Sequence, residues 1–185
     1  MVDSLHLSSQ LAYLKMRGIY PHFIEASRRY QIPLALLLAI ASRESGMGLA
    51  LDTDWTGDSG NGIGIMQIDR RYHPEFTSQF ANNDHQANIA YGAEFLSGLI
   101  RQFPGDRPAA VAAYNAGAGR VRSALAAGLS PDAVTTGRDY SSDVRRRMQI
   151  IDSILGSSHR SQSLKAIIAM SLAGFVSFKL LTQPN

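Results

Sequence analysis

The run Ile32 to Ser45, IPLALLLAIASRES, constrains the fold more than any other part of this chain. Pro33 suits the first helical position, and LALLLAIA is apolar on nearly every side, so the segment predicts a helix buried all round. A helix that cannot face water has to be enclosed by other elements around one core. The 185 residues suffice for a single domain of that kind.

Most of the enclosing pattern is helical. From Asp84 to Phe103 the positions Ile89, Ala93, Leu96, Leu99 and Ile100 repeat at helical spacing and stop before Pro104-Gly105. Arg107 to Ala116 and Gly119 to Ala127 read as short helices broken at Gly117-Ala118-Gly119, and Asp139 to Leu155 as a longer amphipathic one. Between Leu51 and Ile68, Gly60, Gly62 and Gly64 break helix and permit positive φ, which predicts a turn-rich segment with a short hairpin. The expected class is α+β, helix-dominated, with a small irregular β segment.

Composition removes several chemistries. With no cysteine there is neither a disulfide framework nor a thiolate metal site. The five histidines show no metal-ligand spacing. Asp52-Thr53-Asp54 opens like a calcium loop, but Ile63 stands where its bidentate Glu is required. The glycines at 60, 62 and 64 neither follow a clear strand nor open a helix as a dinucleotide loop does. No metal and no cofactor are expected. Lys and Arg number 18 against 15 Asp and Glu, a net charge of +3, too weak to demand nucleic acid but compatible with anionic cell-wall or membrane surfaces. Arg145-Arg146-Arg147 reads as a solvated helix face, and the expected state is a monomer.

The chemistry concentrates just after the apolar run. Glu44 closes that helix, where burial and the negative end of the helix dipole both disfavour the carboxylate and raise its pKa toward neutrality. An ion pair with Arg43 is the competing reading. Asp58 and Asp69 follow in the polar, glycine-rich segment GDSGNGIGIMQIDRRYH. One protonated carboxyl beside ionised ones is what glycoside hydrolysis needs, the first to protonate a leaving oxygen and the others to orient water or stabilise positive charge on the ring. Turn capping is the alternative use of both aspartates.

Four blocks in order, SRESG, WTGDSGNGIGIMQIDRRYH, AYNAGAGRVRS and TTGRDYSSDV, resemble the goose-type lysozymes over roughly Ile19 to Leu155. The resemblance implies a lysozyme-like fold and hydrolysis of the β-1,4 bond between N-acetylmuramic acid and N-acetylglucosamine in peptidoglycan glycan strands. It implies Glu44 as general acid and Asp58 and Asp69 as the pair positioning water in an inverting reaction. It further implies Gln67, His73, Tyr114, Asn115 and Tyr140 as substrate-groove or support residues, His73 orienting an aspartate or contacting sugar. The related lytic transglycosylases share the Glu-Ser, Met-Gln and AYNAG blocks but generally lack the aspartate pair, and they close an anhydromuramyl ring. That chemistry, and a catalytically weak wall-binding or membrane-tethered module, are the alternatives. The chain departs from vertebrate members in having no cysteine, which suggests a bacterial or bacteriophage origin, and in a slightly longer segment between Glu44 and Asp58.

Residues 156–185 fall outside the resemblance, and the expected division is a catalytic domain over 1–158 and an apolar tail over 159–185. Ala166 to Phe178 is uncharged between Lys165 and Lys179. A helix from Leu164 to Leu181 would span about 27 Å at ~1.5 Å per residue, near the thickness of a bilayer core. A membrane-associated helix and a helix packed on the domain are both open. The N-terminus lacks the basic and apolar regions of an ordinary signal peptide, so access to the wall is expected by another route, such as release at lysis.

Overall fold

The computed structural model describes residues 3–157. Two compact units divide the chain, Met1–Ile151 and Asp152–Asn185, and the core, sheet and groove belong to the first.

The apolar run forms α3, Leu34–Ser45, and every residue from Ala35 to Ser42 is buried. Pro33 sits at the N-cap with ψ 128°, one place outside the position its ring suggests, and its carbonyl accepts from the Leu36 and Leu37 amides. Gly46 ends the helix at φ +57°, its N–H returned to the Ala41 and Ser42 carbonyls.

Two helices precede α3 where the sequence pattern assigns no element: α1, Ser4–Met16, and α2, Tyr20–Tyr30. Asp3 caps α1 by accepting from the His6 amide at 2.8 Å, and Leu7, Leu11 and Leu14 form its buried stripe. The buried Gln10 of α1 accepts a hydrogen bond from Ser42 of α3 at 2.6 Å, so the one polar group on each face satisfies the other.

The predicted hairpin is a three-stranded antiparallel sheet of minimal strands: β1 Thr56–Gly57, β2 Gly62–Ile63 and β3 Ile68–Asp69. Its register pairs Gly57 with Gly62 and Gly62 with Asp69, which puts Gly57 and Asp69 in one row with Asp58 directly after it. The two outer strands thereby bring the aspartates to the same end of the sheet, one on each side of β2. The short α4, Pro74–Gln79, follows, and its Phe76 stacks on Tyr91 at 4.2 Å.

Helix α5, His85–Gln102, is capped by Asp84. It packs on α2 and on α6, Arg107–Ala116, which in turn packs on α7, Ala118–Ala126. Ala109, Ala110, Ala112 and Ala113 let these helices close tightly around Leu99, Phe103 and Val121. Residues 140–157 form α8. Its first amides are capped from a distance by the buried carboxylate of Asp132, which accepts from Ser141 at 2.7 Å and Ser142 at 3.1 Å. Among the described residues no helix is long and apolar enough to cross a membrane. The 164–181 segment lies outside the described residues.

Candidate active site

A cleft of about 680 Å³ opens between the sheet and the helices α3, α6 and α7, and both Glu44 and the two aspartates line it. Three polar anchors fix the strand-bearing segment to the helical core. Ser45, at the end of α3, donates to the Ile65 carbonyl at 2.7 Å and accepts from the Gly48 amide. Asn88 of α5 accepts from the Met66 amide and donates to the Ile63 carbonyl, both at 2.8 Å. Tyr114 of α6 donates to the Met66 carbonyl at 3.0 Å. The Met66 peptide is thus held from both sides, and the residue that follows it, Gln67, takes φ +48°. Non-glycine residues in that region persist only where surrounding contacts hold them there. Asp58, at φ +48°, is a second such position in the groove.

Glu44 is partly buried at the helix end. Its competing partner is occupied elsewhere: Arg43 pairs with Asp139 at 2.9 Å and Asp143 at 3.2 Å. Burial pushes the Glu44 carboxyl up from its ordinary 4.5 to about 7, against the opposing effects of a hydrogen bond from Tyr140 and the charge of Arg43. At neutral pH a large fraction of Glu44 therefore carries a proton.

Asp58 and Asp69 are held together by Arg71, a residue that no sequence pattern singles out. Its guanidinium meets Asp69 through Nε at 2.9 and 3.1 Å and through Nη2 at 2.6 Å, and the same Nη2 reaches Asp58 at 3.0 Å. Those hydrogen bonds hold the Asp69 carboxyl below its ordinary pKa despite partial desolvation. The two aspartates differ in exposure, 65% for the Asp58 side chain and 26% for Asp69. Asp58 keeps Oδ1 clear of the ion pair and faces solvent.

The remaining residues singled out from sequence divide by position. Gln67, His73, Tyr114 and Asn115 line the cleft. The Gln67 amide donates to the Gly64 carbonyl and lies over Gly57 and Gly62, where any Cβ would collide with it. The His73 ring sits in an aromatic wall, with Nδ1 at 2.9 Å from the Tyr91 hydroxyl and Phe95 at 4.9 Å, and burial lowers its pKa while Asp69 opposes the shift. Asn115 accepts from the Thr136 amide at 2.8 Å. Tyr140 is not on the cleft surface. It is buried behind Glu44 and donates its hydroxyl to Oε1, so its position supports the Glu44 carboxyl and gives no open face to the cleft. The cleft also contains Tyr72 and Arg120, which no spacing rule singles out. Among the described residues no cluster of His, Cys, Asp and Glu could hold a metal.

A family model described as Lysozyme g matches residues 6–153. The chain is 36% identical over 124 residues to a Lysozyme G of Dromaius novaehollandiae, covering 62% of this chain and 56% of that one. To a Lysozyme g of Cyprinus carpio it is 36% identical over 124 residues, covering 62% of each. A Lysozyme g of Takifugu rubripes aligns over 164 residues at 32% identity, covering 83% of this chain and 84% of the fish protein. The chain thus spans less than two thirds of the first two relatives and most of the third. The family match runs from α1 into α8 and includes every residue of the cleft, and on that breadth the chain belongs to the lysozyme g family.

Proposed function

We propose that the chain is a muramidase that hydrolyses the β-1,4 bond between N-acetylmuramic acid and N-acetylglucosamine in peptidoglycan, by inversion. One observation carries the reading: a single cleft holds a carboxyl that burial pushes up to about 7 and, across from it, two aspartates bridged by one arginine. Glu44 donates its proton to the leaving glycosidic oxygen. Asp58 and Asp69 hold a water on the opposite face of the sugar, drawing off its proton as the carbon–oxygen bond forms. An inverting site separates the two sets of carboxyls by about 6.5–9.5 Å to admit that water. Asp69 and Arg71 together form a nearly neutral unit, so the more exposed Asp58 supplies the less compensated negative charge.

Gln67 and Asn115 suit hydroxyl and N-acetyl groups, and the aromatic wall of Tyr114, Phe95 and His73 suits the apolar faces of the rings. The catalytic unit ends by Ser158, acts as a monomer and meets its substrate at the cell wall. Lysis of a peptidoglycan suspension with mass analysis of the fragments tests the reaction. Reducing muramyl ends with inverted configuration support it, anhydromuramyl ends assign the transglycosylase reaction, and intact glycan overturns the assignment.

A further inference from the structure

We infer that Arg120 is a specificity residue of the groove, recognising carboxylate carried on the lactyl substituent of the muramyl sugar and so distinguishing this strand from a neutral N-acetylglucosamine polymer. The inference rests on the muramidase reading and adds to it the chemical group that the helical wall selects.

The cleft contains two guanidinium groups. The charge of Arg71 is already matched by two carboxylates, with four side-chain hydrogen bonds to Asp58 and Asp69 and a further one from its own backbone amide to Asp69. Arg120 is exposed and has no acidic or hydrogen-bonding partner among the described residues. It stands on α7, close in sequence to Asn115 and Gly117 of the cleft, so the helical wall offers an open cation while the sheet wall offers none. The Asn115 carbonyl is already spent on the Thr136 amide, which leaves its side-chain NH2 as a donor beside that cation.

A glycan of N-acetylglucosamine alone presents only neutral hydroxyls and amides, with no anion to pair with a guanidinium. A strand that alternates with muramyl sugars presents at each of them a lactyl carboxylate, or the carboxylates of the peptide built upon it. Arg matches such a group with two parallel N–H···O bonds, and an exposed Arg loses little hydration in making them.

The test measures affinity in the full chain carrying Glu44→Gln, so that turnover does not intrude. Three oligosaccharides of equal length are titrated: neutral N-acetylglucosamine, peptide-free N-acetylglucosamine–N-acetylmuramic acid, and the latter bearing stem peptides. The preference for anionic over neutral ligand is expected to fall about fivefold with Arg120→Gln, the size of an exposed ion pair, and to reverse with Arg120→Glu. Arg120→Lys should recover part of it, and high salt should erase it in the parent protein. A loss with the peptide-free strand locates the carboxylate on the lactyl group; a loss confined to the peptide-bearing strand locates it on the stem. An unchanged preference in Arg120→Gln overturns the inference while leaving the muramidase reading intact. Failure of the parent to bind any of the three overturns that reading itself.

Discussion

In the proposed reaction Glu44 has to be protonated to act and buried to stay protonated, and both requirements leave measurable traces. Glu44→Gln keeps size and the acceptor for Tyr140 but has no proton to give, so lysis should fall by roughly 10²–10⁴-fold with the fold intact. The same substitution should stabilise the protein in a definite pH window. Because the folded-state pKa is raised from 4.5 to about 7, the stability associated with the bound proton is complete below pH 4.5 and is lost as pH rises through about 7. Glu44→Gln should therefore melt like the parent in acid and above it at pH 8, by at most about 3 kcal/mol. Equal melting at both pH values would show that the site imposes no such cost. Tyr140 tunes the same group: its hydroxyl favours the ionised form, so Tyr140→Phe should move the alkaline limb of the pH–activity profile upward. A limb that stays in place would mean that another group sets it.

At the scale of elements, the sheet exists to bring Asp58 to Asp69, and Arg71 joins what the register has aligned. Arg71→Gln should cut hydrolysis about tenfold, a part of what loss of a general-base arrangement costs. It should also shift the acid limb upward, because Asp69 loses the bonds that hold its pKa down. Asp58→Asn and Asp69→Asn should each cost less than Glu44→Gln, and their losses should not multiply in the double variant if they share one water. Independent, multiplicative losses would assign them separate tasks. Gly62→Ala tests the platform beneath: its Cβ would lie 2.8 Å from the Gln67 amide carbon, so the Gln67 side chain must give up its place over the sheet or the strand must shift, at about 1–3 kcal/mol.

Much of this was legible in the chain, and the divide has a physical cause. The apolar run gave α3, helical spacing gave α5 and α6, and the placement of a lone glutamate after that run gave a correct direction for its pKa. Those are properties of consecutive residues. Arg71, Asn88 and Ser45 act through partners across the fold, and the side chain alone does not say which turn it will meet. The Tyr140 hydroxyl, similarly, points at Glu44 because α8 passes behind α3, a fact of packing with no local signal.

The whole molecule depends on how α8 is tied to α3, since that contact sets both Tyr140 and the environment of Glu44. The tie centres on Asp143, whose side chain is 5% exposed and pairs with Arg147 at 2.7 Å, Arg146 at 2.7 Å and Arg43 of α3 at 3.2 Å. Arg147 continues the chain of contacts to the Ser42 hydroxyl at 2.8 Å, and Ser42 reaches Gln10, so α8, α3 and α1 share one polar network through the core. Burial acts to raise the Asp143 pKa, but the hydrogen bonds and charges of the three arginines outweigh it and hold the carboxyl below its ordinary range. Removing the acid leaves the partly buried Arg147 without a carboxylate, held only by Ser42, and leaves Arg43 with Asp139 alone, a larger cost than losing a surface pair. Asp143→Ala should destabilise the protein by roughly 3 kcal/mol at pH 7, or about 10 °C in Tm. A depressed folded-state pKa contributes stability above the unfolded value that disappears as pH falls, so the gap between parent and variant should close in acid, below the ordinary carboxylate range. The variant should also lose activity by letting Tyr140 and Glu44 separate, although neither residue has changed. A Tm difference that persists undiminished at pH 2 would assign the effect of Asp143 to packing instead of charge.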